Sequence, residues 1–380
     1  MEVVVVIVGA GPSGLATSAC LNQKSISNII LEKEDCYGSL WRKRSYDRLN
    51  LHLGKHFCQL PSLPHSSTTP TFMPKHAFIE YLDAYVSHYN INPLYYRCVQ
   101  SALYDDTLRK WVVQAKNGLA GETETYISEF LVIATGENSE GYIPKLPGLD
   151  RFSGEVIHSS EYKSGRKYQG MNVMVVGCGN SGMEISYDLS NFGAFPSVVV
   201  RNPFHVLTKH MVYMGMFLSK YLPATFVDHL IMLLEKLHFG DLSKYGIRRP
   251  TRGPFFVKNV TGRSPTIDVG TISKIRKGEI KVVPNIVTIE GKTVAFENGI
   301  HGQFDVIVFA TGYKSTARYW LKDYQFILDD DGMPQNKWPN HWKGSTAIYC
   351  AGFSGKGLPG IAQDAVAIAN DIEKVLGNKE

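Results

Sequence analysis

The chain has no long uninterrupted apolar run, no paired cysteines and no strong excess of either charge, and each shortage removes a class of function. Its longest apolar region, Met211 to Phe239, is broken by Lys220, Pro223, Asp228, His229, Glu235 and Lys236. That is too many polar groups for a membrane-crossing helix of about 20 residues. The region is expected to form helices that line a pocket, with peripheral membrane contact as the alternative. The six cysteines, Cys20, Cys36, Cys58, Cys98, Cys178 and Cys350, contain neither a CxxC pair nor a zinc spacing. They read as free thiols of a reducing compartment, so a cytoplasmic location is expected. The missing pair also weighs against disulfide reductases, whose chemistry needs a redox-active dithiol. A net charge of +5 over 380 residues is too small for a dedicated nucleic-acid binder, although a mildly basic face suits anionic ligands. No basic leader precedes the first apolar run, where Glu2 stands instead, so no signal peptide is expected. The histidines and serines fall into no nucleophile elbow and no metal-ligand spacing, and no metal is expected. Asp329-Asp330-Asp331-Gly332 lacks the distal glutamate of a calcium loop and reads as a solvated turn.

What the chain does contain is a pair of glycine fingerprints, Gly9-Ala10-Gly11-Pro12-Ser13-Gly14 and Gly177-Cys178-Gly179-Asn180-Ser181-Gly182. Each follows a short apolar run, Val3 to Val8 and Asn172 to Val176, and each can open a helix, Leu15 to Leu21 and Ser181 to Asn191. The pattern asks for a tight strand-to-helix turn, bare backbone beside a pyrophosphate, and free N–H groups at a helix start. The two copies differ at the end of their next apolar segment. Glu32 closes Asn28 to Leu31, where an acid accepts hydrogen bonds from ribose hydroxyls in an FAD or NAD site. Arg201 closes Ser197 to Val200 in the second copy, where arginine suits a 2′-phosphate and so favours NADPH over NADH.

The length fits two domains, or one with an insertion. Pro61, Pro64, Pro70 and Pro74 mark an irregular stretch ahead of a helix from Lys75 to Tyr89, and strands are expected at Trp111 to Ala115 and Phe130 to Thr135. The latter ends in Ala134-Thr135-Gly136, and Phe304 to Phe309 ends in Ala310-Thr311-Gly312, a weak internal repeat. Ala347 to Gly352 followed by Gly360 to Leu376 reads as a closing strand and helix that return to the first domain. The expected fold is therefore α/β, three-layered, with two Rossmann-like dinucleotide-binding domains. The first is discontinuous, residues 1–165 with 315–380, and the second spans residues 166–314 with a helical insertion at about 211–240.

Between the fingerprints, Phe152-Ser153-Gly154-Glu155-Val156-Ile157-His158-Ser159-Ser160-Glu161-Tyr162-Lys163 resembles the FxGxxxHxxxY-K signature of the class B flavin-dependent monooxygenases. Within that class the chain is similar to the plant YUCCA branch, the indole-3-pyruvate monooxygenases of auxin synthesis. The likeness lies in Tyr46-Asp47-Arg48-Leu49-Asn50-Leu51-His52-Leu53, Gly179 to Glu184, Val199-Val200-Arg201, Leu242 to Pro250 and Gly352-Phe353-Ser354-Gly355. It implies FAD at the first fingerprint and NADPH at the second, with Leu40 and Trp41 beside the flavin. It implies O2 and a small 2-oxo acid as reactants, and decarboxylation through a C4a-(hydro)peroxyflavin.

Flavin-centred chemistry needs no side-chain nucleophile, so no residue is assigned as certainly catalytic; Asn50 and His52 are the candidates. Many N- and S-oxygenating relatives carry asparagine where His52 stands in the register marked by Lys55, which counts against that alternative. Asn50 and Gly54 depart from the lysine and proline of the YUCCA pattern, which keeps open a non-catalytic FAD- and NADPH-binding module. Arg48, Lys55, Arg249 and Lys258 are the candidate cations for a substrate carboxylate.

Overall fold

The β-branched run at the N-terminus forms the strand Glu2–Val8, with Val5, Val6 and Ile7 wholly buried. Both neighbours of this strand, Asn28–Leu31 and Thr123–Ile133, run parallel to it, which explains an apolar run without alternation. Thr123–Ile133 serves two further partners. Its first half pairs antiparallel with Lys110–Asn117, which continues to Arg97–Asp105, and its last residues pair parallel with Ile348–Cys350. The closing helix, Leu358–Gly377, packs on the first-fingerprint helix Pro12–Gln23.

The computed structural model describes residues 1–378 and divides into two compact units. The first unit holds the sheet just described and comprises Met1–Arg44, Gly54–Glu140 and the chain from Tyr313 onward. The second comprises Ser45–Leu53 and Gly141–Gly312. Its sheet is parallel throughout, in the order Lys281–Val283, Phe195–Val199, Asn172–Val176, Val306–Phe309, Glu155–His158. An antiparallel meander of Ile286–Glu290, Thr293–Phe296 and His301–Gln303 adds to it.

These boundaries differ from the expected ones at residues 165 and 315. The chain enters the second unit at Gly141, because Glu155–His158 pairs with Val306–Phe309 and so belongs to the second sheet. The short segment Ser45–Leu53 also belongs there. Tyr46 and Leu49 pack with Tyr162, Val173, Ile185 and Leu189, and Asp47 N donates to Lys163 O at 3.0 Å.

The apolar region from 211 onward is helical as expected, in Lys209–Leu218 and Ala224–Phe239, joined by a third helix, Pro254–Thr261. Two of its apparent interruptions are buried fasteners. Asp228 accepts hydrogen bonds from Phe255 N and Phe256 N at 2.8 and 2.9 Å and so caps the third helix. Glu235 is wholly buried. Among the described residues no helix is long and apolar enough to cross a membrane.

Candidate functional site

The two fingerprints fold into the same cradle. Gly9 and Gly177 adopt φ of +108° and +116°, and a Cβ on them would lie 2.6 Å from Ala134 O and 2.5 Å from Ala310 O. The two Ala-Thr-Gly strand ends are thus the floors on which the glycine turns rest. A Cβ on Gly14 or Gly182 would lie 1.9 Å from the carbonyl oxygen of Gly9 or Gly177. Gly11 and Gly179, in contrast, have nothing within 4 Å of an added Cβ. Their bareness serves no packing inside the protein; it leaves room for an approaching ligand. The helices Pro12–Gln23 and Asn180–Asn191 begin one residue later, with no side chain capping either N-terminus. Among the described residues Thr135 Oγ1, at the floor of the first cradle, is buried with no partner. The parts required by two dinucleotides are therefore present.

The residues flanking the cradles are held differently. Glu32 accepts Ala10 N at 2.6 Å through Oε2 and Glu34 N at 2.9 Å through Oε1. Burial raises its pKa, and those two N–H groups oppose the rise. The carboxylate thus clamps the first turn and keeps lone pairs for a ribose. Ser13 Oγ reaches Ala134 O at 3.4 Å, and the backbone of Gly38 donates to Ala10 O at 2.9 Å. Gly38 starts the short helix Ser39–Lys43, which carries Leu40 and Trp41. The Trp41 ring lies against Phe78 with centroids 4.6 Å apart.

In the second cradle Asn180 Oδ1 accepts Ile267 N at 2.7 Å, and Thr266 Oγ1 donates to Cys178 O at 2.8 Å. The strand Thr266–Ile267 therefore fixes the turn from outside, a role with no sequence signal in the fingerprint. Arg201 lies exposed just beyond Phe195–Val199. Burial pushes the Cys178 thiol up to about 11, against the opposing charges of Arg263 and Arg201. All six cysteines are free, and among the described residues no group of three or more His, Cys, Asp or Glu is placed to hold a metal ion.

The FxGxxxHxxxY-K residues build the second unit. A Cβ on Gly154 would lie 2.2 Å from Asp305 O. His158 has Ser160 Oγ at 2.9 Å from Nδ1 and Gly312 O at 3.0 Å from Nε2, and burial lowers its pKa. It is therefore a neutral histidine whose Nε2–H donates to the end of the second Ala-Thr-Gly. Tyr162 donates to Asp188 Oδ2 at 2.7 Å.

The other candidates separate. Lys55 Nζ donates to three carbonyls of one loop, Ser66, Ser67 and Thr69, at 3.0, 3.1 and 2.6 Å. Arg249 donates to buried Glu235 at 3.0 Å and to Gly240 O at 2.6 Å. Both cations are engaged in structure, and the local sequence gave no sign of it because their partners are backbone carbonyls or lie a helix away. Lys258 donates to Ser264 Oγ at 2.6 Å, and the Arg48 guanidinium stacks 4.4 Å over the Tyr187 ring. His52 turns its Nε2 to within 3.3 Å of Glu184 Oε1, whereas Asn50 is exposed and donates to Arg48 O at 3.0 Å.

The chain is similar to known flavin-binding monooxygenases. A flavin-binding monooxygenase-like family model matches residues 2–327. Probable indole-3-pyruvate monooxygenase YUCCA10 of Arabidopsis thaliana is 58% identical over 377 residues, covering 99% of this chain and 98% of the relative. Among solved structures, a flavin-containing monooxygenase from Stenotrophomonas maltophilia superposes with a TM-score of 0.75 at 19% identity, covering 99% of both chains. Cyclohexanone monooxygenase from Rhodococcus sp. Phi1 bound to NADP+ gives 0.74 at 18%, covering 100% of this chain and 85% of the other. At such identities the structural likeness speaks for the fold.

Proposed function

The chain belongs to the flavin-binding monooxygenase-like family, and on that premise we propose that it converts indole-3-pyruvate, NADPH, O2 and a proton to indole-3-acetate, CO2, NADP+ and water. This is a decarboxylating monooxygenation that forms auxin. The substrate reading is carried by one observation, the match with YUCCA10 along essentially the whole of both chains.

FAD, when bound, supplies the redox chemistry by taking two electrons from NADPH and passing them to O2. The protein binds and orients. Gly9, Gly11 and Gly14, with Ala10, Pro12 and Ser13, cradle the FAD pyrophosphate at the start of Pro12–Gln23, and Glu32 holds its ribose. Leu40 and Trp41 flank the flavin. Gly177, Gly179 and Gly182, with Cys178, Asn180 and Ser181, do the same for NADPH, and Arg201 meets the 2′-phosphate. Lys55 is held by three loop carbonyls and Arg249 by buried Glu235, so Arg48, stacked on Tyr187, and Lys258, bonded to Ser264, are the candidates left for the substrate carboxylate. No protein nucleophile is required, and His52, turned to Glu184, is assigned none of the bond-making.

The test is to reduce the FAD-loaded protein anaerobically with NADPH, admit O2, and offer indole-3-pyruvate, phenylpyruvate or a thioether. Indole-3-acetate with stoichiometric CO2 is the expected outcome. Sulfoxide without CO2 would replace the proposal with an S-oxygenase, and failure of NADPH to bleach the flavin would point to a binding module.

A further inference from the structure

Glu184 stands on the helix that leaves the second fingerprint, and its side chain is 1% exposed. Its surroundings are poor in donors for an anion. Oε2 accepts the Tyr46 hydroxyl, and Oε1 lies 3.3 Å from His52 Nε2. Asp188, one turn further on, is occupied by the Tyr162 hydroxyl at 2.7 Å and Gly165 N at 2.8 Å and adds a second negative charge. The nearby cation, Arg48, is turned onto the Tyr187 ring, and its Nε is buried with no hydrogen-bond partner. Lys209, at the start of the helix Lys209–Leu218, adds a positive charge that acts on His52.

A carboxylate withdrawn from water holds its charge only against cations or several donors. Burial pushes the Glu184 carboxyl up to about 7; the Tyr46 hydrogen bond and the Arg48 charge oppose the rise, and the Asp188 charge adds to it. Burial, aided by the Lys209 charge, pushes His52 down to about 4, so the imidazole beside the protonated acid is neutral. With its proton, Glu184 donates through Oε1 to the His52 Nε2 lone pair while Oε2 accepts from Tyr46. Without it, a buried negative charge faces a buried guanidinium N–H that lacks an acceptor. An ion pair between the two would satisfy both and would compete with the stacking of Arg48 on Tyr187.

We propose that Glu184 is a positioning residue that stores a proton for the segment Ser45–Leu53. Protonated, it pins Tyr46 and His52 to the fingerprint helix; ionised, it draws Arg48 towards itself and loosens Ser45–Leu53 from that helix, an arrangement that slows flavin reduction by NADPH. The functional half rests on the NADPH reading of the second fingerprint, and the structural half does not.

The experiment pairs two readouts on the FAD-loaded protein between about pH 6 and 9: hydrogen exchange of peptides covering residues 45–53, corrected for intrinsic rates, and anaerobic reduction by NADPH. In the wild type both should step by about tenfold, the size expected when roughly 1.4 kcal/mol separates two arrangements, with a midpoint near 7, the value to which burial raises the Glu184 carboxyl. Glu184→Gln, a permanently neutral side chain that keeps both hydrogen bonds, should remove the step from both. Tyr46→Phe removes a bond that favours the anion, so its midpoint should move up; a purely structural tyrosine would leave it in place. A step that survives in Glu184→Gln, or is missing in the wild type, overturns the proposal. Should Glu184→Gln not fold, an unmoved midpoint in Tyr46→Phe does so instead. An exchange step without a rate step removes the functional half alone, and a protein that NADPH never reduces at any pH refutes the NADPH reading while leaving the exchange result to stand.

Discussion

Gly11 and Gly14 separate two demands that one fingerprint makes of its glycines. An added Cβ on Gly14 would sit 1.9 Å from Gly9 O, whereas on Gly11 it meets nothing within 4 Å. Gly11 has φ of −73°, a conformation any residue adopts. Gly14→Ala should therefore destabilise the fold by upwards of about 3 kcal/mol through backbone overlap. Gly11→Ala should leave the apo melting temperature unchanged yet abolish flavin retention, read from the visible spectrum after gel filtration. Normal flavin content in Gly11→Ala would refute the first cradle as the FAD site. At Arg201 the demand is charge. Replacing it by alanine should raise the KM for NADPH by roughly 10- to 100-fold, since a hydrogen bond to a charged group contributes about 1.5–3 kcal/mol. NADH, which lacks the 2′-phosphate, should be nearly unaffected; equal effects on both would remove the assignment. The two glycine turns were legible because each follows its strand and opens its helix within one strand-helix-strand unit, closed by Glu32 in the first copy and by Arg201 in the second.

The elements that the sequence left obscure are those fixed by partners far along the chain. Nothing near Ser45–Leu53 indicates that it belongs to the second unit; its fasteners are Lys163, whose carbonyl accepts Asp47 N, and Glu184. The expected boundary at residue 165 failed for the same reason, because parallel pairing of Glu155–His158 with Val306–Phe309 has no local signature. The helical insertion was recognised from its apolar content, but not its fastening. His205 places Nδ1 at 2.7 Å from Glu235 Oε2 and Nε2 at 2.7 Å from Arg252 O, two acceptors, so the ring that satisfies both is the imidazolium. Burial lowers its pKa, but the bonds to Glu235 and the Arg252 carbonyl, with the charges of Glu235 and Asp228, outweigh that and leave it raised. A raised histidine contributes stability that is complete below its unfolded value of about 6.5 and is lost as pH climbs through the folded one. Limited proteolysis between residues 209 and 262 should accordingly quicken as pH rises from about 6.5. In His205→Ala it should be fast at every pH, and a pH-independent wild-type rate would contradict the imidazolium.

At the scale of the whole molecule the fold alone does not select the reaction, since two dinucleotide cradles serve many redox chemistries. The chain also carries a set of buried titratable groups, and three of them act in one direction. Glu32 and Glu184 are raised by burial and His205 by its acceptors. In each case the native state holds its proton more tightly than the unfolded chain, so stability falls as pH rises. For Glu184 the window runs from the ordinary carboxyl value of 4.5 to about 7. Below it both states are protonated, and above it the fold carries a buried anion at a cost on the order of 3 kcal/mol. The FAD-loaded protein should thus melt higher near pH 5.5 than near pH 8.5. Glu184→Gln cannot ionise, so it should recover a large part of the difference at the alkaline end, several degrees at about 2–4 °C per kcal/mol, while changing little at pH 5, where Glu184 itself is neutral. Differential scanning fluorimetry of the two proteins across this range decides it: parallel curves would show that the Glu184 carboxyl is ionised in the native state throughout, and the pocket made by Tyr46, His52 and Arg48 would then have to supply an anion with donors that its geometry does not offer.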